Sequence, residues 1–273
     1  MSLALDHVVI HVIDLEAAIA DYTAVGFTVQ RGGTHADGAT HNALVGFADG
    51  SYLELIAFLR PSPAHRWAAA AEQGREGFID FALLPVSVAA VVHAARSRGL
   101  AYQGPIDGGR LRPDGERLKW QIGTPPTPDL PFLCGDISPR SMRVREGDVR
   151  MHANGVKGVA SITVAVANID ASLTRYGALL GPAALQSAHP VAMPGLGLRS
   201  VSLPLAAVTL VLAAPGPDSH DGHELRAVLA QRGEGVLGLA LHRQGDAPAV
   251  ALPRDRTHNA AFEIVPAEAA STP

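Results

Sequence analysis

Residues 6–12 read DHVVIHV, an apolar strand carrying two histidines, and run directly into DLEAAIADYTAVG at 14–26. Asp14 is a helix N-cap, Glu16 lies in the first turn, and Leu15, Ala18, Ile19 and Tyr22 form one apolar stripe. Gly26 stands where a left-handed stop is wanted. The same strand-then-helix grammar recurs in FIDFALL (78–84), with Ser87 as cap, the stripe Val88, Val91, Val92 and Ala95, and Gly99 as stop. It recurs again in ASITVAV (160–166), with Asn168, the stripe Ile169, Ser172, Leu173 and Tyr176, and Gly181. Repetition at this scale is an architecture, so it governs the rest of the reading.

The stretch after each helix also repeats. In the first copy, 27–31 and 40–47 read as strands, and Asp49-Gly50 supplies two-residue hairpin chemistry before YLELI at 52–56. GLRSVSL (197–203) and VTLVLAA (208–214) take those places in the third copy. The second has a hairpin around Asp114-Gly115 and a last strand near PFLC (131–134). QGREGFIDFAL (73–83) resembles QRGEGVLGLAL (231–241), which marks a fourth copy. That copy is reduced, with no capped stripe between His242 and Arg256 and only NAAFEIV (259–265) as a late strand. The expected fold class is α+β: tandem βαβββ units in curved mixed sheets, helices on the outer face, two units per domain. Residues 1–137 form the first domain, 138–155 a linker, 156–266 a second, degenerate domain, and 267–273 a tail.

Composition narrows the function class. The 273 residues carry 22 Lys+Arg against 26 Asp+Glu, a net charge of -4 that argues against nucleic acid as a partner. With 47% hydrophobic residues the chain can build a full core. One cysteine, Cys134, fits a reducing cytoplasm rather than a disulfide framework and reads as core. The longest apolar run, 203–214, contains Pro204 and is shorter than the ~20 residues of a membrane span. Asp6 near the start and the lack of a basic lead do not fit a secretory signal. A cytoplasmic protein with a small-molecule ligand is expected, with a homodimer left open.

Strand parity locates the ligand. A two-residue turn at Asp49-Gly50 places Leu44, Leu53 and Leu55 with Val8, Ile10 and Val12 under the helix. The opposite face then gathers His7, His11, His41, Val45, Phe47, Tyr52, Glu54 and Ile56. Imidazoles and a carboxylate among large apolar groups suit a partly enclosed pocket. His7 and Glu54 are candidate ligands for a divalent metal, and Asp80, at the matching position of the second unit, could add a carboxylate. A plain polar cleft in which His7 and Glu54 bond each other is the competing reading. In GGRLRPDGERLKW (108–120) a two-residue turn at Asp114-Gly115 puts Arg110, Arg112, Arg117 and Lys119 on one face, able to hold a carboxylate. Leu111, Leu118 and Trp120 fall on the other, against the second helix. HDGHE (220–224) is explained by helix capping.

Tandem βαβββ units with His on the first strand and Glu on the last resemble the vicinal oxygen chelate superfamily. LDHVVIHVIDLEAAIADYTAVGFTV, THNALVGFADGSYLELIAF, RPDGERLKW and LPFLCGD resemble bacterial glyoxalase-like domain proteins, over about the first 140 residues. The resemblance implies paired units curled into a cleft, with metal ligands on first and last strands. It supports His7 and Glu54 and makes Asp80 a ligand of unusual type, while the second unit's last strand offers only Leu133 or Cys134. The function expected is a metal-dependent lyase, isomerase or dioxygenase acting on a small oxygenated, anionic substrate. Glu54 would be catalytic, and His41, Tyr52, Arg110 and Arg112 would bind substrate. The alternative is a metal-free protein that sequesters a small ligand, with Phe47, Tyr52 and Trp120 supplying contact area.

Overall fold

The structure is a computed structural model describing residues 3–112, 114–216 and 222–267. His220 and Asp221 of the HDGHE cluster, and residues 268–273 of the expected tail, lie outside the described residues. The first unit comprises β1 (Ala4–His11), α1 (Leu15–Ala24), β2 (Gln30–His35), β3 (Thr40–Gly46) and β4 (Tyr52–Phe58). A short α2 (Ala68–Glu72) leads to β5 (Gly77–Leu84), α3 (Val88–Ser97), β6 (Gln103–Leu111), β7 (Arg117–Thr124) and β8 (Phe132–Asp136). These eight strands close into a barrel in the order β1-β4-β3-β2-β6-β7-β8-β5. The segment expected as a linker is folded onto this barrel, forming α4 (Arg140–Arg143) and a 3-10 turn over Gly147–Arg150. In the second half, β9 (Val156–Ala165), α5 (Ile169–Leu180), β10 (Val191–Met193), β11 (Leu198–Leu205) and β12 (Val208–Pro215) precede α6 (His223–Arg232). Three further strands complete it, β13 (Gly235–Arg243), β14 (Val250–Ala251) and β15 (Phe262–Pro266). Here the sheet stays open, in the order β10-β11-β12-β9-β13-β15-β14.

Local chemistry explains the helices. Asp14 accepts from the backbone N–H groups of Glu16 and Ala17, Ser87 from Ala90, and Asn168 from Ala171. Their stripes are buried: Leu15, Ala18 and Tyr22 in α1, and Val88, Val91, Val92 and Ala95 in α3. One continuous apolar core runs from Leu3 to Ile264, so both sheets and α1, α3 and α5 share it. Burial of these side chains at roughly 25 cal/mol per Å² is what holds the halves together.

The hairpins depart from expectation in a consistent way. Between β3 and β4 the register is Val45↔Leu53 and Leu44↔Glu54, and between β6 and β7 it is Arg110↔Leu118. Both loops hold three residues rather than two. Phe47 N–H bonds Ser51 C=O, Arg112 N–H bonds Glu116 C=O, and the glycines, with φ +86° at Gly50 and +88° at Gly115, take the left-handed position. Asp49 and Asp114 each accept from the backbone N–H two residues on, which stabilises the longer turn. One extra residue reverses the parity of the preceding strand. Ala43, Val45 and Phe47 therefore join the core under the helices, and Leu44 lies on the other face beside Tyr52. Leu118 and Trp120 likewise face the barrel interior, while Leu111 is exposed.

Among the described residues no helix is long and apolar enough to cross a membrane.

A side chain at the left-handed position of the β3–β4 loop is strained by about 1–2 kcal/mol. Gly50→Val should lose that much in a urea unfolding titration, and an unchanged midpoint would contradict the three-residue loop.

Candidate functional site

Each opening strand carries a β-bulge where two adjacent residues face one on its partner. In β1 the extra residue is Asp6 and in β5 it is Ile79; in β9 and β13 the extra residues include Ala160 and Leu237. A bulge re-aims the side chain it carries. Asp6 is the bulge residue that carries a carboxylate, and it has no solvent exposure. Its carboxylate accepts from His7 Nδ1 (2.6 Å), from Arg143 through Nη1 (2.7 Å) and Nη2 (3.0 Å), and from Arg140 Nη1 (2.6 Å). Both arginines belong to α4 and also bond Asp136, so the expected linker supplies the counter-charges at the barrel's base.

From Asp6 the network passes into a cavity of about 270 Å³ inside the barrel. His7 Nε2 lies 3.3 Å from Glu54 Oε2, and His35 Nε2 lies 3.5 Å from Glu54 Oε1. Asn42 donates to Glu54 Oε1 at 2.5 Å, and His35 Nδ1 is 2.7 Å from Thr40 Oγ1. Tyr52 stacks on His7 with centroids 4.6 Å apart, and its hydroxyl accepts from Arg143 Nη1 at 2.7 Å. Trp120, Phe132 and Ile56 supply apolar wall, and Arg110, only 3% exposed, points a guanidinium into the same space.

Electrostatics splits the two imidazoles. Burial alone would strip the proton from His7, but hydrogen bonds and charge from Asp6 and Glu54 overcome it and raise its pKa. For His35 burial prevails over Glu54's charge, so its pKa is lowered and the ring is neutral. Glu54 itself, opposed by burial but held by His7, His35 and Asn42, is brought down to about 2. Burial depresses Arg110, which remains a cation.

Several expected site residues lie elsewhere. His41 falls on the opposite face of β3 because of the three-residue loop, and Thr40, Asn42 and Leu44 line the cavity instead. Val45 and Phe47 move to the core for the same reason. His11 bonds the carbonyl of Arg75 outside the cavity lining. Arg112 pairs with Asp114 at 2.7 Å, and Arg117 and Lys119 are exposed. The structure brings together His7, Tyr52, Glu54 and Arg110. Sequence reading missed Asp6, His35, Asn42 and Arg143. Asp6 is hidden by the bulge and His35 by a β2 that runs beyond residue 31. Arg143 lies in a segment without periodicity. A charge inside an otherwise apolar strand was the one available signal, at Asp6.

Asp80 and Cys134 do not complete a metal site with His7 and Glu54. Asp80 is not in the cavity lining; its carboxylate meets the Arg66 guanidinium, the Trp67 indole N–H (2.9 Å) and the Phe81 amide. Burial raises its pKa despite those partners, and burial also pushes the Cys134 thiol up, away from the thiolate a metal needs. His7 Nδ1 is taken by Asp6, and its Nε2 faces Glu54. Among the described residues no group of three or more His, Cys, Asp or Glu side chains is arranged to hold a metal ion.

Residues 5–180 match the family model described as a glyoxalase-like domain. No curated protein matches the chain. Its fold is similar to that of a hypothetical protein from Staphylococcus aureus, with a TM-score of 0.71, 14% identity, and coverage of 97% of this chain and 100% of that one. A mutant 4-hydroxymandelate synthase from Streptomyces coelicolor gives a TM-score of 0.62 and 13% identity, over 99% of this chain and 94% of that one. A xylose isomerase-like TIM barrel/4-hydroxyphenylpyruvate dioxygenase fusion protein gives 0.57 and 14%, over 99% of this chain and 50% of that one. At these identities the likeness is one of fold, consistent with the vicinal oxygen chelate superfamily.

Because His7 has a raised pKa, its contribution to stability is complete below about 6.5 and is lost as pH climbs through the higher folded value. Glu54 behaves oppositely: its contribution is present above about 4.5 and is lost as pH falls towards 2. Thermal midpoints should therefore peak between these limits, and Asp6→Asn should lower the His7 pKa followed by imidazole NMR. An unmoved His7 titration would contradict the network. His41→Ala should change stability by no more than about 0.5 kcal/mol.

Proposed function

The chain belongs to the glyoxalase-like domain family, and on that premise we propose that its barrel cavity takes a small oxygenated organic acid and moves a proton on it. The observation that carries this reading is one carboxylate, Glu54, flanked by two imidazoles whose pKa values are driven in opposite directions. Pairs of titratable groups separated in this way mark acid and base roles. His7 is the acid and His35 the base, with Glu54 aligning His7. The substrate's carboxylate meets Arg110, and Tyr52 and Trp120 receive its planar body.

The chemistry follows from these positions. In the tautomer whose Nδ1–H donates to Thr40 Oγ1, His35 presents the Nε2 lone pair and takes a proton from the carbon next to a carbonyl. The C–H electron pair forms the C=C bond of an enolate, and the carbonyl π pair moves onto oxygen. His7 Nε2–H donates to that oxygen as charge develops, and Asp6 stabilises the imidazolium from behind. Return of a proton to carbon completes an isomerisation or an exchange. A buried ionic network is a poor source of stability, which favours a chemical role over simple sequestration. The resident metal expected from the superfamily is not part of this reading, because Asp80 is held by Arg66 and Trp67 and does not join His7 and Glu54.

The fold neighbours are named for 4-hydroxymandelate and 4-hydroxyphenylpyruvate, so 4-hydroxyphenylpyruvate is a suitable probe. In D2O the chain should accelerate loss of its C3 proton signal, with the rate unaffected by EDTA. His7→Gln and His35→Gln should each slow exchange by about 100-fold or more. Tight binding without exchange would favour the sequestering alternative, and exchange abolished by EDTA and restored by a divalent ion would overturn the metal-free reading.

The reaction needs His35 neutral and His7 charged. Its rate should rise as pH passes the lowered pKa of His35 and fall above the raised pKa of His7, giving a bell that brackets about 6.5. A profile with a single limb would remove one of the two roles.

A further inference from the structure

A second cavity, of about 280 Å³, lies where the two halves meet, between α2, β5, α6 and β13. Its walls come from the two stretches whose sequences match, 73–83 and 231–241, and each contributes one arginine, Arg75 and Arg232. Pairing of the repeats across the junction thus brings two guanidinium groups to one hollow. Neither has a carboxylate partner among the described residues. Arg75 bonds the Gln73 side-chain oxygen through Nε, and Arg232 bonds the carbonyl of Phe78 through Nη2. Burial, then the charges of Arg75 and Arg254, depress the pKa of Arg232, as expected where cations crowd without an anion.

The acids nearby are committed elsewhere. Glu234 accepts from the Ala167 amide at 2.7 Å and lies 3.7 Å from Arg175, and Asp80 is held by Arg66 and Trp67. Glu234 and Arg66 also line the cavity, and the remaining wall is mostly apolar, with Phe78, Ile79, Val228 and Leu237 among its residues. Junctions between halves of a chain are common places for small-molecule sites, and apolar wall with a few convergent polar groups is their usual composition.

We propose that this junction cavity binds a small organic anion, its carboxylate held between Arg75 and Arg232 and its apolar body against Phe78 and α6. Arg66 and Trp67 line this cavity and the barrel cavity alike, so a ligand here sits against the wall of the catalytic space. The site does not depend on the proton-transfer reading, because none of the proposed catalytic groups lines it.

Octanoate, octanol and inorganic phosphate titrated calorimetrically into the full chain test the proposal. Octanoate should bind once per chain, at least about tenfold more tightly than octanol or phosphate. Arg75→Gln and Arg232→Gln should each weaken it about tenfold, and Arg110→Gln, in the barrel, should leave it unchanged. No octanoate binding, or equal affinity for octanol, would overturn the proposal. Loss of octanoate in Arg110→Gln alone would place the anion in the barrel and overturn it equally. Two arginine variants guard against misfolding of either one, since only an affinity change with a preserved melting transition counts.

Discussion

A fully buried carboxylate must find its counter-charge inside the protein, and Asp6 finds three. The bulge in β1 turns it inwards, His7 meets it from the same strand, and Arg140 and Arg143 reach it from α4. This arrangement fixes the ring of His7, keeps that ring protonated and pins the segment between the halves against the barrel's base. Glu54, held ionised chiefly by His7, is the shared acceptor of His7 and Asn42. Charges grouped this way need one another: removing one partner of such a set is costly, typically by several kcal/mol.

The same constraint shapes the ligand positions of the superfamily. First and last strands of the two units bring His7, Glu54, Asp80 and Cys134 to the barrel, where His7 and Glu54 face each other while Asp80 and Cys134 are engaged apart from them. Arg66 neutralises Asp80, Asp6 keeps His7 charged, and Cys134 packs among Val9, Ala82 and Trp120. Guanidinium and imidazolium groups supply the positive charge in this cavity. Fold alone does not assign chemistry.

Much of the architecture was legible in the chain. Caps at Asp14, Ser87 and Asn168, with stripes of period 3.6 after each, mark three helices by local chemistry alone. Matching of 73–83 with 231–241 marks the fourth unit. The site was legible only in part, at His7, Tyr52, Glu54 and Arg110. Both errors of face arose from the same dipeptide. Asp-Gly serves either a two-residue or a three-residue loop, and the choice depends on an Asp side chain bonding an amide two residues ahead. That one-residue difference sent His41 out of the cavity and brought Trp120 into it.

The sequence by itself determined the repeat, its helices and the strands that pair, because capping, apolar period and turn chemistry act over a few neighbouring residues. Tertiary structure decided which side chains meet. The bulge at Asp6, the longer loops, the reach of β2 to His35 and the folding of 140–143 beneath the barrel are all settled between distant segments. Charge state followed the same division, since the opposite pKa shifts of His7 and His35 come from burial and from partners on other strands. A ring's chemistry is set by what surrounds it, and the surroundings exist only once the barrel has closed.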